Sequence, residues 1–260
     1  MFKKKILSVL LALSLLFCML TACAGNDSQL GAIRDRGELR VGVKVDVPRF
    51  GYMNPDTGEM EGMEIDLARA IAKDIIGDEN AVKFVNITSQ TRGVMLDNGE
   101  IDLVIATFTI TEERKLSYNF SRPYYTDVLG YLVRDDSSVT CPEDLEGKNV
   151  GVTQSSTAKT AYEEESMRLG IDVTLCEFAS YPEVKDALIA GEVDAFVTDK
   201  SILYGYLDDD CILLDDGFNP QQYGIASKLE NDQLAAHIDA LLETMEKDGE
   251  LSAILDKWGL

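Results

Sequence analysis

A pattern that occurs twice constrains this chain more than any other feature. Leu96-x-x-Gly99-Glu100-Ile101-Asp102 leads to Ala106-Thr107, and Leu188-x-x-Gly191-Glu192-Val193-Asp194 leads to Thr198-Asp199, at a constant offset of 92 residues. Val41-Gly42-Val43-Lys44 likewise has a counterpart in Val150-Gly151-Val152-Thr153. Self-similarity on this scale marks a chain made of two like units. Within each unit short apolar runs alternate with amphipathic segments. LRVGVKV (39–45) precedes the helical MEIDLARAIAKDI, then AVKFVNI, the helix RGVMLDNGE and the apolar run IDLVIATF (101–108). KNVGVT precedes TAKTAYEEESMRLG, then IDVTLCEF, PEVKDALIAG and VDAFVTD. The alternation predicts an α/β fold with a largely parallel sheet in each half.

Residues 1–22 stand outside this scheme. Lys3, Lys4 and Lys5 precede an apolar run from Ile6 to Leu20, broken only by Ser8 and Ser14, with small residues before Cys23. This is the pattern of an export signal, and the run is short for a membrane span of roughly 20 residues. Leu20-Thr21-Ala22-Cys23 resembles the bacterial lipobox, which implies an acylated, palmitate-bearing Cys23 as the mature N-terminus. Residues 23–36, opening with the polar AGNDSQ, are then expected to form a lipid-anchored tether. Two acyl chains on one residue suffice for stable anchoring, so the expected location is extracytoplasmic, at the cell membrane.

Charge and cysteine content narrow the function classes. Beyond residue 22 the chain carries 21 Lys and Arg against 46 Asp and Glu, a formal charge of −25, which argues against a nucleic-acid partner. Cys141, Cys176 and Cys211 form no CxxC pair, and an odd number permits at most one disulfide, with the pairing open. The single histidine, His237 in LAAHIDALLETMEK, has neighbours that suggest a packing or surface role. No metal, cofactor or His-dependent catalytic set is expected.

Ligands of open α/β sheets bind beyond the carboxyl ends of the strands, beside helix N-termini. That rule selects Lys44, Thr107, Thr109 and Arg114 in the first half, and Thr153 to Thr157 with Asp199 in the second. In TITEERK (109–115), Thr111 reads as an N-cap, and Glu112 and Glu113 suit the positive end of a helix. Arg114 does not suit it. Arg92, in SQTRG, is a second guanidinium at the start of a helix. Together with Lys44, they point to one anionic ligand.

From about Gly37 to Leu260 the chain resembles the family 3 extracellular solute-binding proteins, the polar-amino-acid receptors of ABC importers. The motifs carrying the likeness are LRVGVKVDVPRFGY, GMEIDLARAIA, LDNGEIDLVIATFTITEERKLSYNFSRPYY, GVTQSSTAK, GEVDAFVTDKS, QQYGIA and LDKWGL. The resemblance implies a two-lobed periplasmic binding protein-like fold of type II, with the ligand cleft between lobes. Residues 37–130 plus 221–260 would form lobe 1 and residues 131–220 lobe 2. Hinges would lie near 128–133 and 221–226, allowing closure.

The family pattern implies that Arg114, Thr109 and the Thr107 backbone hold the ligand's α-carboxylate from one lobe, and Ser156 and Thr157 from the other. Asp199 would take the α-ammonium, with the Thr107 carbonyl. Where an aromatic often packs on the ligand side chain, this chain has TSQTRG, with Ser89 near that place. The VGVK, TRG and ATFTIT motifs resemble the aspartate/glutamate-binding subgroup, which implies that Lys44 and Arg92 hold a side-chain carboxylate, with Tyr181 nearby. The resemblance thus implies a monomeric, non-enzymatic receptor for glutamate or aspartate that serves separate permease and ATPase subunits. A receptor for another polar amino acid such as glutamine, or a dehydratase-like enzyme on the same fold, are the alternatives.

Overall fold

The computed structural model describes residues 28–260, so the expected signal segment and Cys23 lie outside the described residues. Helix α1 (Gln29–Arg36) opens the fold: Ser28 Oγ accepts from Gly31 N at 3.2 Å and Gly37, at φ 67°, closes it. Ile33 on α1 is fully buried. The tether expected to run through residue 36 therefore gives way to packed helix at Gln29.

The first sheet contains β1 (Leu39–Val43), β5 (Val82–Asn86), β6 (Leu103–Val104), β7 (Tyr118–Phe120) and β14 (Ala226–Lys228), in the order β5-β1-β6-β14-β7. The second contains β8 (Tyr125–Arg134), β9 (Asn149–Thr153), β10 (Thr174–Phe178), β11 (Ala195–Asp199) and β12 (Cys211–Leu213), in the order β10-β9-β11-β8-β12, with β13 (Phe218–Tyr223) on β8. β2 (Asp46–Val47), β3 (Gly51–Met53) and β4 (Met60–Glu61) form a small antiparallel sheet beside the first.

The sequence repeat is a repeat of topology. β1 lies between β5 and β6, all parallel, as β9 lies between β10 and β11. Helices α2 (Met63–Ile76) and α3 (Arg92–Asp97) connect the first trio, and α5 (Ala158–Leu169) and α6 (Tyr181–Ala190) connect the second. Gly42 and Gly151 are equivalent because helices or loops press on mid-strand: a Cβ would stand 2.6 Å from Ile101 Cδ1 at Gly42 and 2.6 Å from Val184 Cγ1 at Gly151.

Three local expectations need correction. IDLVIATF was expected as one strand, but its ladder covers only Leu103–Val104 because the backbone turns at Thr107, a non-glycine residue at φ 43°. The helix opened by Thr111 is a single turn, α4 (Glu112–Lys115), with Thr111 Oγ1 accepting from Arg114 N at 3.1 Å. Such a short helix carries little macrodipole, so any case for Arg114 must rest on its surroundings. The passage between sheets also falls earlier than residue 130. All of β8 pairs within the second sheet, Leu129 and Tyr131 belong to that sheet's core, and the chain crosses between Phe120 and Tyr125. The return crossing, between Tyr223 and Ala226, lies within the expected 221–226. The remaining helices are α7 (Lys200–Gly205), α8 (Asp232–Asp248) and α9 (Glu250–Lys257). His237 on α8 sits 2.6 Å from Asp74 Oδ2 on α2, and Cys141, Cys176 and Cys211 are all unbridged.

Candidate functional site

The ends of β1, β6, β9 and β11 face one another across the two sheets, and charged residues are buried there. Lys44, one residue beyond β1, is 1% exposed, and Arg92, the first residue of α3, is 4% exposed. A cation in such a place loses its hydration and needs compensation. Lys44 has it in Asp46 Oδ1 at 3.2 Å and in the face of Tyr181, whose ring centroid lies 4.7 Å from Nζ. Burial still lowers the Lys44 ammonium from its ordinary range.

Arg92 and Arg114 are less completely matched. Their guanidinium carbons stand 3.9 Å and 4.6 Å from the centroid of one ring, Phe108. Their hydrogen bonds go to backbone carbonyls: Arg92 donates to Ala106 at 3.3 Å and Ser155 at 3.5 Å, and Arg114 to Thr109 at 2.7 Å and Ser155 at 3.4 Å. Desolvation, then repulsion from Arg114, pulls Arg92 down to about 9; desolvation pulls Arg114 down to about 10. Both shifts record cations without an anion in contact. Ser155, whose carbonyl meets both from the second unit, is held at φ 58°. Strained non-glycine residues thus flank the site from each unit, at Thr107 and Ser155.

Asp199, at the end of β11, supplies the opposite charge. It is 7% exposed, and its Oδ1 is buried without a partner. Burial, then the neighbouring Asp127, raises its carboxyl to about 7. Asp127 itself is held by Ser201, whose backbone N–H donates to Oδ2 at 3.0 Å and whose hydroxyl also donates to it.

The hydroxyl residues are placed less directly than expected. Thr109, 6% exposed, Arg114, Ser156 and Thr157 line one cleft of about 610 Å³ with Asn219 and Gln221. Within it the Ser156 hydroxyl donates to the Thr153 carbonyl at 2.6 Å, and Thr157 donates to Gln221 Oε1 at 2.7 Å. The Thr107 N–H is committed to Glu64 Oε1 at 2.6 Å, so the expectation that the Thr107 backbone donates to a ligand carboxylate needs correction. Ser89 lines a smaller recess of about 260 Å³ with Arg92, Arg114, Phe108 and Ser155. Phe108, not residue 89, is the aromatic surface here.

Glu64 and Phe108 are the residues that sequence reasoning missed. Glu64 is fully buried on α2, accepts from Thr107 N–H and Tyr124 hydroxyl, and has its Oε2 unpartnered. Burial raises its carboxyl to about 7. A signal existed, since residues 64, 68, 71 and 75 form one buried helical stripe.

Comparison with known proteins gives this geometry a context. The family model described as bacterial extracellular solute-binding proteins, family 3, matches residues 39–260. The chain is 38% identical to the ABC transporter glutamine-binding protein GlnH of Bacillus subtilis, over 98% of this chain and 97% of that protein. It is 32% identical to the glutamate-binding protein GluB of Corynebacterium glutamicum, over 95% and 88%. Among solved structures, the P235GK mutant of ArgBP from T. maritima aligns at a TM-score of 0.80 with 29% identity, over 88% of this chain and 98% of that one.

Proposed function

Because the chain belongs to the bacterial extracellular solute-binding proteins, family 3, we propose that it is the amino-acid receptor of an ABC importer and takes an acidic amino acid, glutamate or aspartate. One observation carries the choice of ligand. Two adjoining guanidiniums, Arg92 and Arg114, have only carbonyl partners and one ring between them, while Asp199 keeps one oxygen unpartnered. An α-amino acid brings one carboxylate and one ammonium. That satisfies one arginine and Asp199, and a second carboxylate satisfies the other arginine.

In this reading Arg114 and Thr109 hold the α-carboxylate, with Ser156 and Thr157 on the opposite wall. Asp199 and the Thr107 carbonyl take the ammonium. Arg92, with Lys44 and Tyr181 behind it, reads the side chain. The two units are lobes that close over the ligand, the crossings near 120–125 and 223–226 serving as hinges. Cys23 is the lipid attachment point, and separate permease and ATPase subunits complete the importer. The assembled groups hold charge rather than transfer it, so a bound amino acid is returned unchanged.

A second reading, glutamine, is favoured by the GlnH likeness and by the Lys44–Asp46 pair, which already neutralises one of the three cations. Calorimetry with glutamate, aspartate, glutamine and asparagine decides between them. Tighter binding of the two acids supports the acidic reading; tighter binding of glutamine replaces it.

A further inference from the structure

Lys44 belongs to a cluster that spans both units. Asp46, its ion-pair partner, lies two residues on at the start of β2, with its side chain 18% exposed. The backbone of Asp46 is pinned from two directions. It pairs with Tyr52 in the small sheet, and its carbonyl accepts from the hydroxyl of Tyr206, which follows α7 in the second unit. Gly205 sits so close to Pro48 that a Cβ there would meet the Pro48 ring at 3.0 Å. The Tyr206 ring packs on Phe196 and Tyr181, with centroids 6.0 Å and 6.4 Å apart, and Tyr181 is the ring beneath Lys44. The other charged groups felt by Lys44 are Arg92 and Glu64.

An ammonium 1% exposed has little solvent to share between two carboxylates, and whichever is nearer takes most of its charge. In this structure that carboxylate is Asp46. We propose that Asp46 is a specificity-determining residue: by pairing with Lys44 it withholds the ammonium from the ligand, and so lowers the preference for a side-chain carboxylate over a side-chain amide. Tyr206 is the positioning residue that fixes Asp46 once the two units meet. The inference rests on the amino-acid receptor reading, but not on which amino acid is preferred.

The test is the ratio of glutamate to glutamine affinity, measured by calorimetry on the detergent-solubilised full chain. Asp46→Asn keeps the size of the side chain and removes its charge, leaving Lys44 a buried cation that a ligand carboxylate relieves. The ratio is expected to rise about tenfold, a modest share of the coupling found for close charge pairs. The rise should vanish when Asp46→Asn is combined with Lys44→Met. Tyr206→Phe, which keeps the ring, should move the ratio in the same direction by less. An unchanged or lower ratio in Asp46→Asn overturns the inference, as does equal weakening of both ligands or a rise that persists beside Lys44→Met. A wild-type chain that prefers glutamine, with the ratio still rising in Asp46→Asn, upholds this inference and defeats the acidic reading. A wild-type chain that binds none of the four amino acids defeats both.

Discussion

Arg92 and Arg114 lean on the same aromatic ring, their guanidinium carbons 3.9 Å and 4.6 Å from the centroid of Phe108. Two cations on one ring repel each other, and burial first, then this repulsion, lowers Arg92. The arrangement is stable only because packing and carbonyl hydrogen bonds outweigh it. It is also poised, since a ligand with two carboxylates offsets both the repulsion and the cost of burial.

The two arginines should separate by selectivity. Removing one partner of a desolvated, hydrogen-bonded charge pair costs about 2 to 5 kcal/mol, which is about 30-fold to several thousand-fold in affinity. Arg114→Ala should weaken glutamate, aspartate, glutamine and asparagine together. Arg92→Ala should weaken the acids more than the amides. Calorimetry on the four ligands checks this, and an Arg92→Ala chain that keeps its full acid-over-amide preference removes Arg92 from the specificity site.

Asp199 and Glu64 should give the ligand-free chain an unusual pH dependence. Both carboxyls are raised to about 7 by burial, against about 4 in an unfolded chain. Between those values the folded state holds protons that the unfolded state has released. Their contribution to stability is therefore fully present at acid pH, falls as pH rises toward 7, and is flat above that. Thermal melts across this range should show a downward slope that flattens in Asp199→Asn. Binding of an ammonium ionises Asp199, so calorimetry near neutral pH should also show proton release, seen as an enthalpy that depends on the buffer.

Glu64 should matter to stability out of proportion to its distance from solvent. Glu64→Ala strands two buried donors, the Thr107 N–H and the Tyr124 hydroxyl. At about 1 to 3 kcal/mol for each stranded group, the loss is about 2 to 6 kcal/mol. Glu64→Gln retains an acceptor and should be milder. Denaturant midpoints check the order, and a Glu64→Ala chain as stable as the wild type would show that neither bond contributes.

Cys23→Ser should release the protein from membranes or leave it as an unprocessed precursor. The motive is the LTAC tetrapeptide after a short apolar run. Membrane fractionation with unchanged attachment and size would sink the anchoring proposal.

Much of the architecture was legible because it is written locally. The VGV strands, the strand-end positions of Lys44 and Asp199 and the helix-start position of Arg92 all follow from spacing within one unit. Contacts between the units leave no such trace. Tyr206 and Asp46 stand 160 residues apart, and nothing near either tyrosine or aspartate announces the other. The strand β8 hid the first crossing for a related reason: its apolar run reads the same whether it is a hinge or the centre of an antiparallel sheet. The brevity of α4 left no trace in the sequence, because a capping threonine and two glutamates mark where a helix begins but not how soon it stops.

The position of β14 has a consequence for the order in which the chain is built. This strand, Ala226–Lys228, lies between β6 and β7, and among the described residues it is the only strand through which β7 joins its sheet. During synthesis or export, strands β1 to β7 of the first unit emerge long before residue 226, yet its sheet lacks β14 and its core lacks Leu234, Ile238 and Leu242 of α8. The second unit, continuous from 125 to 223, can close first. The unit that starts the chain is thus the one that finishes last. Until then β6 has an open edge, and its pairing with a strand over 120 residues away is a non-local contact of the kind that slows folding.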